Sequence, residues 1–170
     1  EIYVAPHFLL KLYEEIENAG KQFNIKPFGA RALMSMRLEK NWGAWGLDYR
    51  PDFTAKESKL DIFIDWNKEF IGKEYAKADK SRYRLTPLVV ETKDIDVTSN
   101  EAILQDGKCI GYVTSGGFAH YVKKSIAFAY IDEEIIKNNN DLQIEINGNF
   151  YHSSILNKPL YDPPGDKMRN

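Results

Sequence analysis

Cysteine is almost absent: Cys109 stands alone among 170 residues, which excludes an internal disulfide and a cysteine-rich zinc site. No apolar run approaches the roughly 18 residues of a membrane helix, and no secretory leader is visible, so the chain reads as soluble and cytoplasmic. Positive charge is not in excess: 23 Lys and Arg against 25 Asp and Glu leave a formal charge of -2, which argues against nucleic-acid or anionic-lipid partners. His7, His120 and His152 are scattered without ligand spacing, so no metal site is expected. No G-x-G-x-x-G turn occurs. Thr114-Ser115-Gly116-Gly117 lacks the ending of a phosphate loop and no helix follows it, so it reads as a strand bulge or bend. No Ser/His/Asp order or Cys/His pair suggests a nucleophile.

What is present is an ordinary core-forming composition, 43% hydrophobic and 28% charged, enough for one core or two small ones. The opening EIYV alternates as a strand from its first residue, which reads as the interior of a longer protein. Pro6 then starts a helix whose Leu9, Leu12, Tyr13, Ile16 and Ala19 keep helical spacing up to Gly20. A second helix is expected over 29–40, and the glycine-punctuated, tryptophan-bearing stretch 41–52 is expected to be a loop. Thr54 and Glu57 form a capping-box signature for a short helix, LDIFIDW (60–66) alternates as a strand, and 71–78 reads as another short helix.

From Arg82 the periodicity is two, with strands expected at 83–91, 101–105, 108–115, 124–131, 142–147 and 149–156. Asp106-Gly107 and Asn147-Gly148 are strong hairpin turns. Five or six antiparallel strands must bury one face, and a small barrel or jelly-roll-like sandwich is the economical closure. The fold class is therefore α+β, with a domain boundary near 78–82. Cys109, in a strand with Ile110, Tyr112 and Val113, is expected to be a small buried side chain.

Arg37 is the anomaly. On a helix over 29–40 it falls within the stripe of Ala30, Leu33, Met34 and Leu38, where a guanidinium needs a carboxylate, a set of acceptors or an anionic ligand. An internal salt bridge to Asp48 or Asp61 and a ligand contact both answer that need. Trp42 and Trp45 are either core residues or flat surfaces for a planar heteroaromatic ligand.

The run GARALMSMRLEKNWGAWGLDYRPDFTAKESKLDIFIDWNKEFIGKEYA (29–76) resembles the folate-binding region of the glycine-cleavage T-protein (aminomethyltransferase) superfamily, above all the C-terminal region of dimethylglycine and sarcosine dehydrogenases. IGYVTSGGFAHYVKKSIAFAYI (110–131) and PLYDPPGDKMR (159–169) resemble that family's C-terminal barrel. The resemblance implies that residues 1–80 are the C-terminal part of a mixed α/β folate-binding domain and 81–170 a barrel domain. It also implies transfer of a one-carbon unit from an oxidised N-methyl amine to tetrahydrofolate, giving 5,10-methylenetetrahydrofolate. Glu1 corresponds to the family glutamate that hydrogen-bonds the pterin, Arg37 to the arginine of its L-R-L-E motif and Trp45 to the aromatic before glycine in L-Y-G. Arg169 answers to an arginine near the family C-terminus on a weaker local match. The stretch from Gly29-Ala30-Arg31 to Arg37 is two residues longer than in stand-alone T-proteins, which favours the dehydrogenase branch. The family's catalytic aspartate, and FAD with its flavoprotein half, are expected outside this sequence, so no catalytic residue is assigned and the chain alone is expected to be inactive. A folate-dependent demethylase of a methylated amine or sulfonium, or a non-catalytic folate-fold interaction module, would share the same resemblance.

Overall fold

Strands with alternating apolar residues cannot leave an edge and a face open to water, and here six of them close on each other. The computed structural model describes residues 1–138 and 141–169. Its strands are β1 (Tyr83–Val90), β2 (Ala102–Gln105), β3 (Lys108–Ala119), β4 (Lys124–Asp132), β5 (Leu142–Ile146) and β6 (Asn149–Ile155). They form a closed antiparallel barrel in the order β1-β4-β3-β2-β5-β6, with β6 returning to β1. This is the expected class and number of strands. Asp106-Gly107 and Asn147-Gly148 link their strands as two-residue turns with φ of 50° and 73°, and 51° and 78°, the left-handed pair that a tight hairpin needs.

The barrel interior is filled by Leu88, Val90, Ile103, Val113, Ala127, Ala129, Ile131, Leu142, Ile144 and Ile146. Strand β4 is buried on both faces, which explains why IAFAYI reads as a continuous apolar run. Its alternate residues Ile126, Phe128 and Tyr130 face outward and form a second core with Leu38, Leu85 and Ala119, flanked by Tyr49, Phe53 and Tyr83. The segment before the barrel thus supplies a patch that covers the barrel's outer wall.

The helices are α1 (Leu9–Gly20), α2 (Ala30–Glu39), α3 (Lys73–Lys77) and α4 (Glu133–Asn138). Two compact units are separable, Glu1–Leu33 and the chain from Met34 onward. Several expectations change. Residues 1–4 form no strand, and 60–66 holds a single 3-10 turn, Asp61–Phe63, in place of a strand. Alternation alone does not supply a hydrogen-bonding neighbour. The capping box is real but closes a turn: the Thr54 and Glu57 backbone N–H groups donate to the Glu57 carboxylate and the Thr54 hydroxyl at 3.0 and 3.2 Å. Helix α4 was not anticipated. Cys109 is exposed, its thiol beside the Gly111 carbonyl at 3.4 Å, because its place near the hairpin end of β3 puts it outside both cores.

Candidate functional site

The last turn of α2 is fixed before its side chains are considered. Asn41 is left-handed at φ 55°, its N–H donates to Leu38 O at 3.1 Å, and the Trp42 N–H donates to Arg37 O at 2.9 Å, a Schellman stop. Leu38 packs into the outer core and Ser35 donates to Phe118 O at 2.9 Å, so this turn lies on β3 and β4. Glu39 is also buried; its carboxylate accepts the Tyr121 N–H at 2.7 Å.

Arg37 is therefore held against the barrel wall, its guanidinium 5.5 Å from the Phe128 ring and its side chain only 9% exposed. Its Nη1 donates to Asp48 Oδ2 at 2.8 Å and to the Trp42 carbonyl at 3.2 Å. Of the two carboxylates anticipated, Asp48 is the partner. Burial pulls the guanidinium below its ordinary pKa, and the neighbouring Asp48 acts in the opposite direction. Among the described residues, none offers a hydrogen-bond partner to the buried Arg37 Nε and Nη2.

Asp48 is fully buried and gathers more than Arg37. Oδ2 also accepts the Ala44 N–H at 2.7 Å, while Oδ1 accepts the hydroxyls of Thr114 and, at 2.6 Å, Ser115. The Asp48 carbonyl accepts from Tyr130 Oη at 2.9 Å, and Ser58 Oγ lies 2.8 Å from that same phenol. Of the bulge or bend expected at Thr114-Ser115, the strand forms a bulge: the register shifts between Val113 and Ser115. That the two hydroxyls share one carboxylate was not visible in the sequence, because it depends on a contact 66 and 67 residues away.

The loop that carries Asp48 is wound around Tyr49. The Gly43 N–H donates to the Tyr49 hydroxyl at 3.1 Å, and a Cβ on Gly43 would fall 2.5 Å from the Tyr49 ring. Trp45, beside Ala44, meets Tyr49 edge-on with ring centroids 5.5 Å apart and is 82% exposed; Trp42 is 56% exposed. The core alternative for these tryptophans is not what the fold adopts. Arg37 and Trp45 thus stand on one assembly organised by Asp48. Arg169 is exposed on the C-terminal segment, its N–H donating to Asp166 O at 3.1 Å. Glu1 is exposed in the first unit, where its carboxylate accepts from the Tyr3 hydroxyl. A cavity of about 500 Å³ lined by Thr54, Ile64, Trp66, Tyr75 and Asp79 involves none of these four residues.

The chain is similar to known proteins over most of its length. Residues 1–68 match the GCVT N-terminal domain model and residues 84–162 the glycine cleavage T-protein C-terminal barrel domain model. The mitochondrial dimethylglycine dehydrogenases of Rattus norvegicus and Homo sapiens are 38% and 36% identical over 165 residues, which is 94% of this chain and 19% of each of those proteins. A probable aminomethyltransferase of Thermococcus gammatolerans is 31% identical over 170 residues, 93% of this chain and 42% of that protein. The chain thus spans less than half the length of these relatives. The crystal structure of glycine cleavage system aminomethyltransferase T from Bartonella henselae superposes with a TM-score of 0.79 at 21% identity, covering 91% of this chain and 44% of that one. Matched in succession by both domain models and sharing that fold, the chain belongs to the glycine-cleavage T-protein (aminomethyltransferase) family.

Proposed function

We propose that this chain is the tetrahydrofolate-binding C-terminal portion of an aminomethyltransferase-like enzyme of the dimethylglycine and sarcosine dehydrogenase branch. The enzyme passes a one-carbon unit from an N-methyl amine to tetrahydrofolate, giving 5,10-methylenetetrahydrofolate, with FAD carried by a flavoprotein portion outside this chain. Residues 1–80 belong to the folate-binding domain and 81–170 to the barrel domain, a division supported by the gap between the two matched models.

The observation that carries the reading is the half-paired guanidinium of Arg37. A buried N–H without an acceptor costs about 1–3 kcal/mol, and Arg37 leaves both Nε and Nη2 in that state. Those two nitrogens form the edge that takes two acceptors in one plane, as a carboxylate or a heterocyclic carbonyl with its neighbour provides. The exposed Trp45 ring suits the apolar face of a planar ligand. Glu1 and Arg169 complete the proposed folate set on family grounds. Once bound, tetrahydrofolate supplies the amines that accept the one-carbon unit; this chain's residues bind and orient it.

Calorimetric titration of the 170-residue chain with tetrahydrofolate tests the assignment. Arg37→Lys keeps a cation opposite Asp48 but removes the two-donor edge, and is expected to weaken binding by about 10- to 150-fold. Equal affinity in the variant means that Arg37 only balances Asp48 inside the protein, the reading that the 2.8 Å ion pair supports. No binding by the wild-type chain overturns its folate-binding role.

A further inference from the structure

Asp48 has a feature that an ordinary salt-bridge partner lacks: its acceptor positions are full. A carboxylate offers about four lone-pair sites. Here Oδ1 takes Thr114 and Ser115, and Oδ2 takes Ala44 N–H and a single N–H of Arg37. An arginine beside an open carboxylate ordinarily forms two parallel N–H bonds to both oxygens. Arg37 makes one, through Nη1, whose second hydrogen goes to the Trp42 carbonyl.

The two hydroxyls occupy Oδ1 together only because β3 is bulged. Successive residues of a regular strand point to opposite faces, so Thr114 and Ser115 could not reach one oxygen. In β3, Val113 pairs with Ala129 and Ser115 with Phe128, leaving Thr114 as the extra residue. Both side chains then turn toward the outer wall where Asp48 lies. We propose that Asp48, saturated by the Thr114 and Ser115 hydroxyls, is a positioning residue: it fixes Arg37 by one nitrogen and thereby leaves the buried Nε and Nη2 without an acceptor among the described residues, as the donors that a ligand satisfies. The ligand class is a planar group with two adjacent acceptors. Its identity as tetrahydrofolate rests on the function proposed above; the positioning of Arg37 does not.

Removing the hydroxyls by Thr114→Val with Ser115→Ala opens Oδ1. Arg37 is then expected to swing a second N–H onto Asp48 and form the two-bond pair. Two measurements on the full chain follow this. In nitrogen-15 spectra, hydrogen exchange of the Arg37 Nη2–H groups slows in the double variant and stays at the wild-type rate in Thr114→Ser, which keeps both hydroxyls. Tetrahydrofolate binding weakens about tenfold in the double variant and stays at the wild-type level in Thr114→Ser. Unchanged Nη2–H exchange in a folded double variant overturns the positioning proposal whether or not folate binds. If the wild type binds, Arg37→Lys loses binding and the double variant binds normally, the positioning proposal alone falls. If the wild type fails to bind tetrahydrofolate, or Arg37→Lys binds normally, the folate reading falls and the exchange measurement still decides the role of Asp48.

Discussion

Tyr130 joins packing and polarity in one side chain. Its ring is fully buried and stacked on Phe53, centroids 3.4 Å apart and planes at 11°, while its hydroxyl donates to the Asp48 carbonyl and meets Ser58. Burial pushes the phenol up from 10.0 to about 12, partly offset by Ser58. A phenol whose folded pKa exceeds its unfolded value adds stability that is complete below the unfolded value and is lost as pH rises. The fall should therefore lie between pH 10.0 and about 12. Denaturant midpoints across that range should drop more steeply for wild type than for Tyr130→Phe; parallel curves count against this role. At neutral pH, Tyr130→Phe leaves a buried carbonyl and hydroxyl without that partner and should cost about 1–3 kcal/mol. Of this cluster the sequence exposes Arg37, as a charge on an apolar stripe, and Asp48, as a carboxylate within reach. Tyr130, Ser58, Thr114 and Ser115 carry no local signal, because their polar partners come from distant segments.

Barrel strands sit close enough for one methyl group to matter. Gly111 in β3 approaches β4 so tightly that a Cβ would fall 2.1 Å from the Tyr130 carbonyl oxygen and 3.1 Å from Ile131 Cα. Both atoms are backbone, so relief requires the strands to separate. Gly111→Ala is expected to destabilise the chain by about 1–3 kcal/mol in urea unfolding; a wild-type midpoint would mean that the barrel yields locally. The same elements show when periodicity is sufficient. The strands from Tyr83 onward could be read because each is bounded by turn chemistry and has a consecutive or closing neighbour. LDIFIDW alternates equally well, yet Ile62 and Phe63 are 78% and 77% exposed and no strand pairs with it among the described residues. The α2 stripe was legible only in its last turn: Leu38 is buried, whereas Leu33 is 51% exposed.

At the scale of the molecule, the change to period two near residue 80 marks where the strands begin, while compactness follows burial. Leu38, Tyr49 and Phe53 precede the strands in sequence but pack with the barrel's outer core. The unit Glu1–Leu33 has little core of its own: Gly20 is its buried residue, and Leu9, Leu10, Tyr13 and Ile16 of α1 are 60%, 69%, 52% and 40% exposed. A twelve-residue helix without such packing is marginal in water, whereas amides of a strand buried on both faces open only with the global transition. Native-state hydrogen exchange should therefore divide the chain into two tiers. Amides of α1 are expected to open at about 1–2 kcal/mol or less, and those of β4, such as Ala129, near the full unfolding free energy. The β4 protection should fall in Gly111→Ala by the amount seen in urea, while α1 exchange stays unchanged. Equal protection of α1 and β4 would show that the apolar residues of α1 are covered in solution and that the chain unfolds as a single cooperative body.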